Sequence, residues 1–455
     1  MAVAADSIAP RRWLAPAALL ALAIPLAVWI GRAPLYLPLV AGAAAVLFVA
    51  VVLRTEAGLV VLVASMLLSP EIPLGAAGTG GLEHSRSVVL RTEDLLLLLV
   101  GFAWLARMAI HKDLGAVRRT RLNAGIAAFA GACLLSTLLG ITAGRVGPLV
   151  GLCYVAKYIE YFFLFFITVN YVRTPERFRR LLLAVLLTGA AITAYAWWQI
   201  PQGVRPSAPF EGTPGEPNTL GGYLVLLFAV AVALAQTLPP SPLRRAGGLL
   251  ALAILPPLIA TLSRSSWLAF VAALAALVVC APRRARLLGW IAVAAAVLLL
   301  AAPRGMRERV AYTFTSEGPT GVQVGRMHLD PSSSARLESW GAALRGWRQH
   351  PFTGWGITGY GFLDAQYFRV LVETGAIGMA AFVGLLGSLA ALFWRARLAL
   401  ADPLPRALAT GMLAAFAGLL AHAIGTNTFI LIRIMEPFWL LTGLVVAAMA
   451  MREAA

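Results

Sequence analysis

The feature that most limits this chain is the recurrence of apolar runs about twenty residues long, separated by short basic or Gly/Pro-rich connections. A bilayer core about 30 Å thick is crossed by roughly 20 apolar residues in a helix. Runs that meet this test begin near Trp13, Tyr36, Ala57, Asp94, Ala124, Gly151, Leu181, Thr219, Gly247, Ser265, Leu287, Arg369, Ala407 and Pro437. They predict about 12–14 membrane spans, the one near Ala57 being short enough to be re-entrant. Of the 455 residues, 60% are hydrophobic and 13% charged, where a soluble domain carries about 25% charged residues. The expected fold class is therefore all-α, a polytopic integral membrane protein, and a soluble enzyme, a disordered chain and a secreted disulfide scaffold are excluded. Cys133, Cys153 and Cys280 all fall inside apolar stretches with no metal-like spacing, so neither disulfides nor zinc are expected. Arg11 and Arg12 precede a long apolar run without a small-residue cleavage site, which predicts a retained first helix rather than a cleaved signal.

The charge pattern orients the spans. Net charge is +17, and all but Lys112 and Lys157 of the 37 basic residues are arginine. Tight basic clusters at Arg118, Arg119 and Arg121, at Arg177, Arg179 and Arg180, at Arg283, Arg284 and Arg286, and at Arg395, Arg397 and Arg406 recur in the short loops on one side, and with the N-terminus inside 21 of the 37 basic residues fall in the cytoplasm. Positive loops stay inside, so both termini are expected in the cytoplasm. Arginines spread between apolar segments do not form the continuous stripe that nucleic acid needs, and no nucleic-acid partner is expected. The chain divides into membrane helices over 1–302, one large outer loop over 303–368 and further membrane helices over 369–455. That loop carries Arg304, Arg307, Arg309, Arg326, Arg336, Arg345 and Arg348 on the side that positive-inside bias normally spares. Either a long loop is translocated regardless of charge, or its guanidiniums meet an anion, most simply a phosphate. Within it Leu337, Trp340, Leu344 and Trp347 recur at three and four after Ser332–Ser334, predicting a serine-capped amphipathic helix that covers a lipid-borne substrate or packs on the bundle.

Three outer stretches could carry chemistry. Arg205 to Asn218 is rich in proline and glycine; it reads as a shaped loop presenting Arg205, Glu211, Glu216 and Asn218, or as an ordinary turn. In Thr261-Leu-Ser-Arg-Ser-Ser-Trp267 an arginine sits between two apolar segments with almost no loop. A charge at the membrane edge is a functional candidate by default, and Ser265 and Ser266 would open a helix whose N–H groups favour an anion. Arg264 plus that helix start is a compact diphosphate site, unless the side chain merely snorkels. The third stretch, Gly354 to Gly375, has glycines at 354, 356, 359 and 361 that match no Walker loop or dinucleotide fingerprint. Asp364 there could serve as a general base or hold an acceptor hydroxyl, or form a structural ion pair with Arg369. His422 sits in a span and reads as packed, His350 as the end of the loop helix, and His84 and His328 as loop residues. No metal cluster and no cofactor are expected. Lys157 and Glu160 form a close intramembrane charged pair at one-turn spacing.

With Thr261-Leu-Ser-Arg-Ser-Ser-Trp, Arg336-x-x-x-Trp340 running on to His350-Pro-Phe-Thr-Gly-Trp-Gly, and Glu373-Thr-Gly-Ala-Ile-Gly378 in this order, the chain resembles the O-antigen ligase and O-antigen polymerase superfamily of bacterial membrane glycosyltransferases. The resemblance implies a GT-C-like fold in the inner membrane, working at the periplasmic face on an undecaprenyl-diphosphate-linked glycan donor. It implies an acceptor that is a lipid-linked glycan for a polymerase or lipid A–core for a ligase. It further implies that Arg205 and Arg264 engage the donor diphosphate. Where ligases of the family carry a histidine as proposed base, this chain has Asp364, and the polar neighbour is Ala365. That departure favours an inverting, metal-independent polymerase of O-antigen or exopolysaccharide type over a ligase. Asp364 and Arg264 are then the expected catalytic residues, with Arg336, Arg369, Gln366 and Tyr367 on the acceptor side. A small-anion transporter of the bicarbonate kind, which shares the superfamily's pattern, is the alternative from another class.

Overall fold

In the computed structural model of the protein, the described residues are 118–209, 215–281, 331–361 and 363–454, with shorter stretches at 46, 48–50, 55–68, 71–73, 89–110, 284–289, 292–293, 323–324 and 327–328. The expected spans near Trp13 and Tyr36 lie outside them, as do Glu211, Arg304, Arg307, Arg309 and Arg326. The helices are α1 (Thr55–Leu68), α2 (Thr92–Ile110), α3 (Asn123–Thr142), α4 (Pro148–Tyr171), α5 (Pro175–Gln199), α6 (Pro217–Thr237), α7 (Pro242–Ala260), α8 (Arg264–Cys280), α9 (Pro331–Gln349), α10 (Gln366–Ala399), α11 (Pro403–His422) and α12 (Ile432–Ala454). Two short antiparallel pairs, β1 (Glu71–Pro73) with β2 (Val89–Arg91) and β3 (Gln323–Val324) with β4 (Met327–His328), join connections; His328, expected in a loop, is in β4. Among the described residues, eight helices are long and apolar enough to cross a membrane, and α8 and part of α2 are shorter apolar helices. At 14 residues α1 spans about 21 Å, short of the bilayer core, as its sequence suggested.

Proline sets many of the helix starts. α4, α5, α6, α7, α9 and α11 each open on one, where the missing N–H removes no helical bond and the fixed φ suits the first turn. This corrects the expected capping of α9: Pro331 begins the helix, so Ser332–Ser334 lie inside its first turn rather than before it. α6 is buried almost throughout, α12 nearly so, while α3, α7 and α10 keep most of their apolar side chains outward. That contrast separates the bundle's centre from its lipid-facing shell. α6 packs against α7, α8 and α11, α4 against α12, and α3 against α10.

The connections fall into two sets at opposite ends. One set is short and arginine-rich; there Arg397 Nη1 of α10 donates to Cys280 Sγ of α8 at 2.7 Å. The other set holds the connections before α4, α6, α8, α10 and α12. Within the membrane Lys157 bonds Asp94 of α2 and lies 3.8 Å from Glu160. The expected pair is thus a trio, in which the second carboxylate comes from a different helix.

α10 is broken near its start. Gly375 has φ 66 and ψ −168, which interrupts the helical ladder and frees backbone groups that must find partners. The chain at 351–356 supplies them: Trp355 N–H donates to Val372 O (3.0 Å), Gly356 N–H to Glu373 O (2.9 Å), Ala376 N–H to Pro351 O (2.8 Å) and Ile377 N–H to Phe352 O (3.2 Å). Ser136 of α3 adds its hydroxyl, 2.5 Å from Thr353 O and 2.6 Å from Glu373 O. α9 then docks on this frame. Trp340 stacks on Phe368, Trp355 Nε1 donates to Gly346 O and the Tyr360 hydroxyl to Ala342 O. Ala343 and Gly346 are buried while Leu344 is exposed, so the packed face is offset from the expected Leu337–Trp347 stripe. Close approach selects small residues at the seam.

Candidate functional site

Three connections and the foot of α9 converge on the start of α8. Ser263 caps that helix, its hydroxyl accepting from Ser266 N–H at 3.2 Å, and Arg264 is its first helical residue. Helix α8 therefore begins one residue before the expected Ser265, because Ser263 is the better-placed cap. Leu262 just before it has φ 50, a left-handed conformation that costs a non-glycine residue about 1–3 kcal/mol. Arg205, exposed on the 200–209 connection, donates from Nε to Thr261 O at 2.9 Å. The two arginines expected to share a ligand are thus brought to one turn. A helix N-terminus flanked by guanidiniums is a favourable place for an anion.

Across from that turn stands Asp364, half-buried in the connection that enters α10. Its Oδ2 is 3.8 Å from Arg336 Nη2 of α9, too far for a hydrogen bond, and Asn427 N–H bonds the carboxylate. Burial holds the Asp364 carboxyl above its ordinary range; Arg336 pulls it down, Glu216 at the start of α6 pushes it up, and Arg369 pulls it down. The competing charges show that α6, α9 and α10 all face this carboxylate. Gly425 lies between Arg336 and the start of α8: a Cβ there would be 3.5 Å from Arg336 Nη1 and 2.7 Å from Ser265 Oγ.

The other expected residues take structural contacts. Arg369 is 5% exposed, with Nε 3.2 Å from Glu373 Oε2 one turn on. The buried ion pair of this region is therefore Arg369–Glu373, not Arg369–Asp364. Gln366 is fully buried, its Oε1 accepting from Phe429 N–H at 3.0 Å. The Tyr367 hydroxyl donates to Leu420 O at 2.7 Å. Gln366 fastens the start of α10 to the α11–α12 connection, and Tyr367 fastens it to the last turn of α11. At the far side of the frame, His350 follows the last residue of α9, as expected, and Arg145 Nη1 lies 2.9 Å from its Nε2.

Sequence reading missed the polar floor of the site. His422 ends α11 with its ring fully buried, Nδ1 2.8 Å from Thr428 Oγ1 and Nε2 3.2 Å from Ser266 Oγ. Asn427 donates from Nδ2 to Leu363 O at 2.8 Å. The available signal was Gly425-Thr-Asn-Thr428, four non-apolar residues between two spans. Among the described residues no group of three His, Cys, Asp or Glu side chains could hold a metal ion.

No curated protein matches the chain. A family model does: residues 249–383 match the family described as O-antigen ligase. The matched stretch contains Arg264, Arg336, Asp364, Gln366, Tyr367 and Arg369, and stops short of His422; Arg205 precedes it. The match supports a glycosyltransferase-like enzyme of ligase or polymerase type, acting on lipid-linked glycans in a bacterial membrane, and does not support the transporter alternative. Over that stretch the chain is similar to the O-antigen ligase family, which supports the ligase and polymerase superfamily.

Proposed function

We propose that the protein is a polysaccharide polymerase that moves a glycan from an undecaprenyl-diphosphate donor to a lipid-linked acceptor repeat at the periplasmic face of the inner membrane. The observation that carries this reading is the convergence of Arg205, Arg264 and Asp364 at one end of the bundle, opposite the arginine-rich turns. In the proposed reaction the acceptor hydroxyl oxygen attacks the donor's anomeric carbon with inversion. Its proton passes to the Asp364 carboxylate, and the bond from that carbon to the diphosphate oxygen breaks. The electron pair leaves on the diphosphate, where Arg205, Arg264 and the first amides of α8 stabilise the charge. Burial supports the role of Asp364, because a carboxyl held above its ordinary range is a better base near neutral pH. No protein-bound metal is required in this scheme: the diphosphate is a good leaving group, and positioning can supply much of the rate.

A ligase using lipid A–core as acceptor is the second reading, favoured by the description of the matched family. The test is reconstitution of the purified chain with an undecaprenyl-diphosphate repeat unit, with and without lipid A–core, the products being separated on a gel. A ladder formed without lipid A–core is expected, and transfer only in its presence would replace the polymerase with the ligase. Arg264→Ala should lower transfer by about 10²–10³, the usual effect of removing one donor to a developing anion. Transfer at the wild-type rate in that variant would remove the donor assignment.

A further inference from the structure

We infer that His422 is a positioning residue for the lipid diphosphate, fastening the start of α8, which carries Arg264, to the Thr426–Thr428 turn, which contacts Asp364. The inference rests on the donor site proposed above and names a residue outside the family match. Helix α8 has only 17 residues, about 26 Å at a helical rise, somewhat shorter than a bilayer core of about 30 Å. The turn before it is strained at Leu262, and such a conformation persists only where its surroundings hold it.

His422 is the hold. Its imidazole bridges Ser266 Oγ at 3.2 Å and Thr428 Oγ1 at 2.8 Å, and Ser266 Oγ donates onward to Ser263 Oγ at 2.7 Å. One order uses each proton once. The Thr428 hydroxyl donates to Nδ1, Nε2–H to Ser266 Oγ, and the Ser266 hydroxyl to Ser263 Oγ, which also accepts the capping N–H of Ser266. The chain of bonds thus runs from the turn beside Asp364 to the cap that aims the free amides of α8. Asn218 at the start of α6 meets the same imidazole through its backbone, and Arg336 is the charged group that faces it. Any fully buried imidazole has to satisfy both ring nitrogens; those of His422 do so on the two elements that carry the proposed donor and acceptor groups.

The full chain in phosphatidylcholine nanodiscs is titrated with undecaprenyl diphosphate, the leaving group without its glycan. His422→Ala should weaken binding about three- to tenfold, the range that one net hydrogen bond carries. On an Arg264→Ala background the further loss should shrink below about twofold, because coupled residues are not additive. His422→Gln, whose amide nitrogen reaches where Nε2 sits, should restore more than half of the lost affinity. Should His422→Ala fail to fold, Thr428→Val removes the Nδ1 partner and should show the same weakening. A lowered Tm with unchanged affinity in His422→Ala or Thr428→Val, or losses fully additive with Arg264→Ala, would overturn the positioning role. Wild-type affinity in Arg264→Ala, or no binding by the wild type, would instead overturn the donor site on which the role rests.

Discussion

The frame around Gly375 in α10 and the charged rim near the start of that helix are held in opposite ways. The frame is backbone on backbone: four N–H to carbonyl bonds between 351–356 and 372–377, with Ser136 reaching in from α3. The rim is held through side chains. Arg336 stops 3.8 Å from Asp364, and Arg205 spends one nitrogen on Thr261 while its residue stays exposed. A half-exposed pair at that distance contributes about 0–1 kcal/mol, so the rim does little to hold the fold together. The difference teaches where each motif belongs. His350-Pro-Phe-Thr-Gly-Trp-Gly and Glu373-Thr-Gly fit each other as scaffold beneath the charged rim. Rigid support under loosely held charges is what positioning and charge stabilisation require.

The largest effect should come from the rim, on activity and not on folding. Asp364→Asn keeps the shape and the Asn427 contact but cannot accept a proton. Transfer in reconstituted protein should fall about 10²–10⁴, the contribution of a positioned general base, while Tm and undecaprenyl diphosphate binding stay near wild type. Retention of transfer within a few-fold would remove Asp364 from the reaction and leave it a partner of Arg336.

The frame should behave the other way. Gly375 has φ 66, and a Cβ there would meet Phe352 O at 2.3 Å. Gly375→Ala costs about 1–3 kcal/mol for a φ and ψ open essentially to glycine alone, and more for moving Phe352. Gly384, on the same helix with nothing within 4 Å of its Cβ position, is the control; Gly384→Ala should be neutral or stabilising by up to about 1 kcal/mol. Thermal unfolding in detergent distinguishes them. Equal Tm values for the two variants would mean that the break in α10 is not held as the backbone bonds indicate.

How much of this was legible in the sequence follows from the range of each force. The spans were legible because bilayer thickness acts on every residue of a run, and the runs near Ala124, Gly151, Thr219 and Ala407 fall within α3, α4, α6 and α11. Arg264 was legible because a charge at a span boundary stands out locally. The break at Gly375 was not, since a glycine with φ 66 reads like any glycine until the 351–356 chain is laid against it. His422 read as packing because its partners, Ser266 and Thr428, lie on other elements. An ion pair of Arg369 with Asp364 was one of two readings of their proximity in sequence, yet one-turn spacing on a helix favours Glu373, and that geometry prevailed. Helical periodicity located α9, but its buried face was set by which residues are small enough to seat Trp355 and Tyr360.

The smallest expected effect is also the finest probe of the rim. Burial raises the Asp364 carboxyl, Arg336 lowers it, and Glu216 raises it. If the carboxylate is the proton acceptor, transfer is lost as pH falls through its raised pKa, so the acid limb of the rate profile lies above the ordinary aspartate range. Arg336→Gln removes a charge that favours the ionised form, and the acid limb should move to higher pH. Glu216→Gln removes a like charge and should move it to lower pH. Neither change should alter stability by more than a surface pair is worth, about 0–1 kcal/mol. Opposite shifts from two residues on α9 and α6 would identify Asp364 as the titrating base. A limb that ignores both substitutions would assign the titration to another group, leaving the frame intact and the rim without its proposed chemistry.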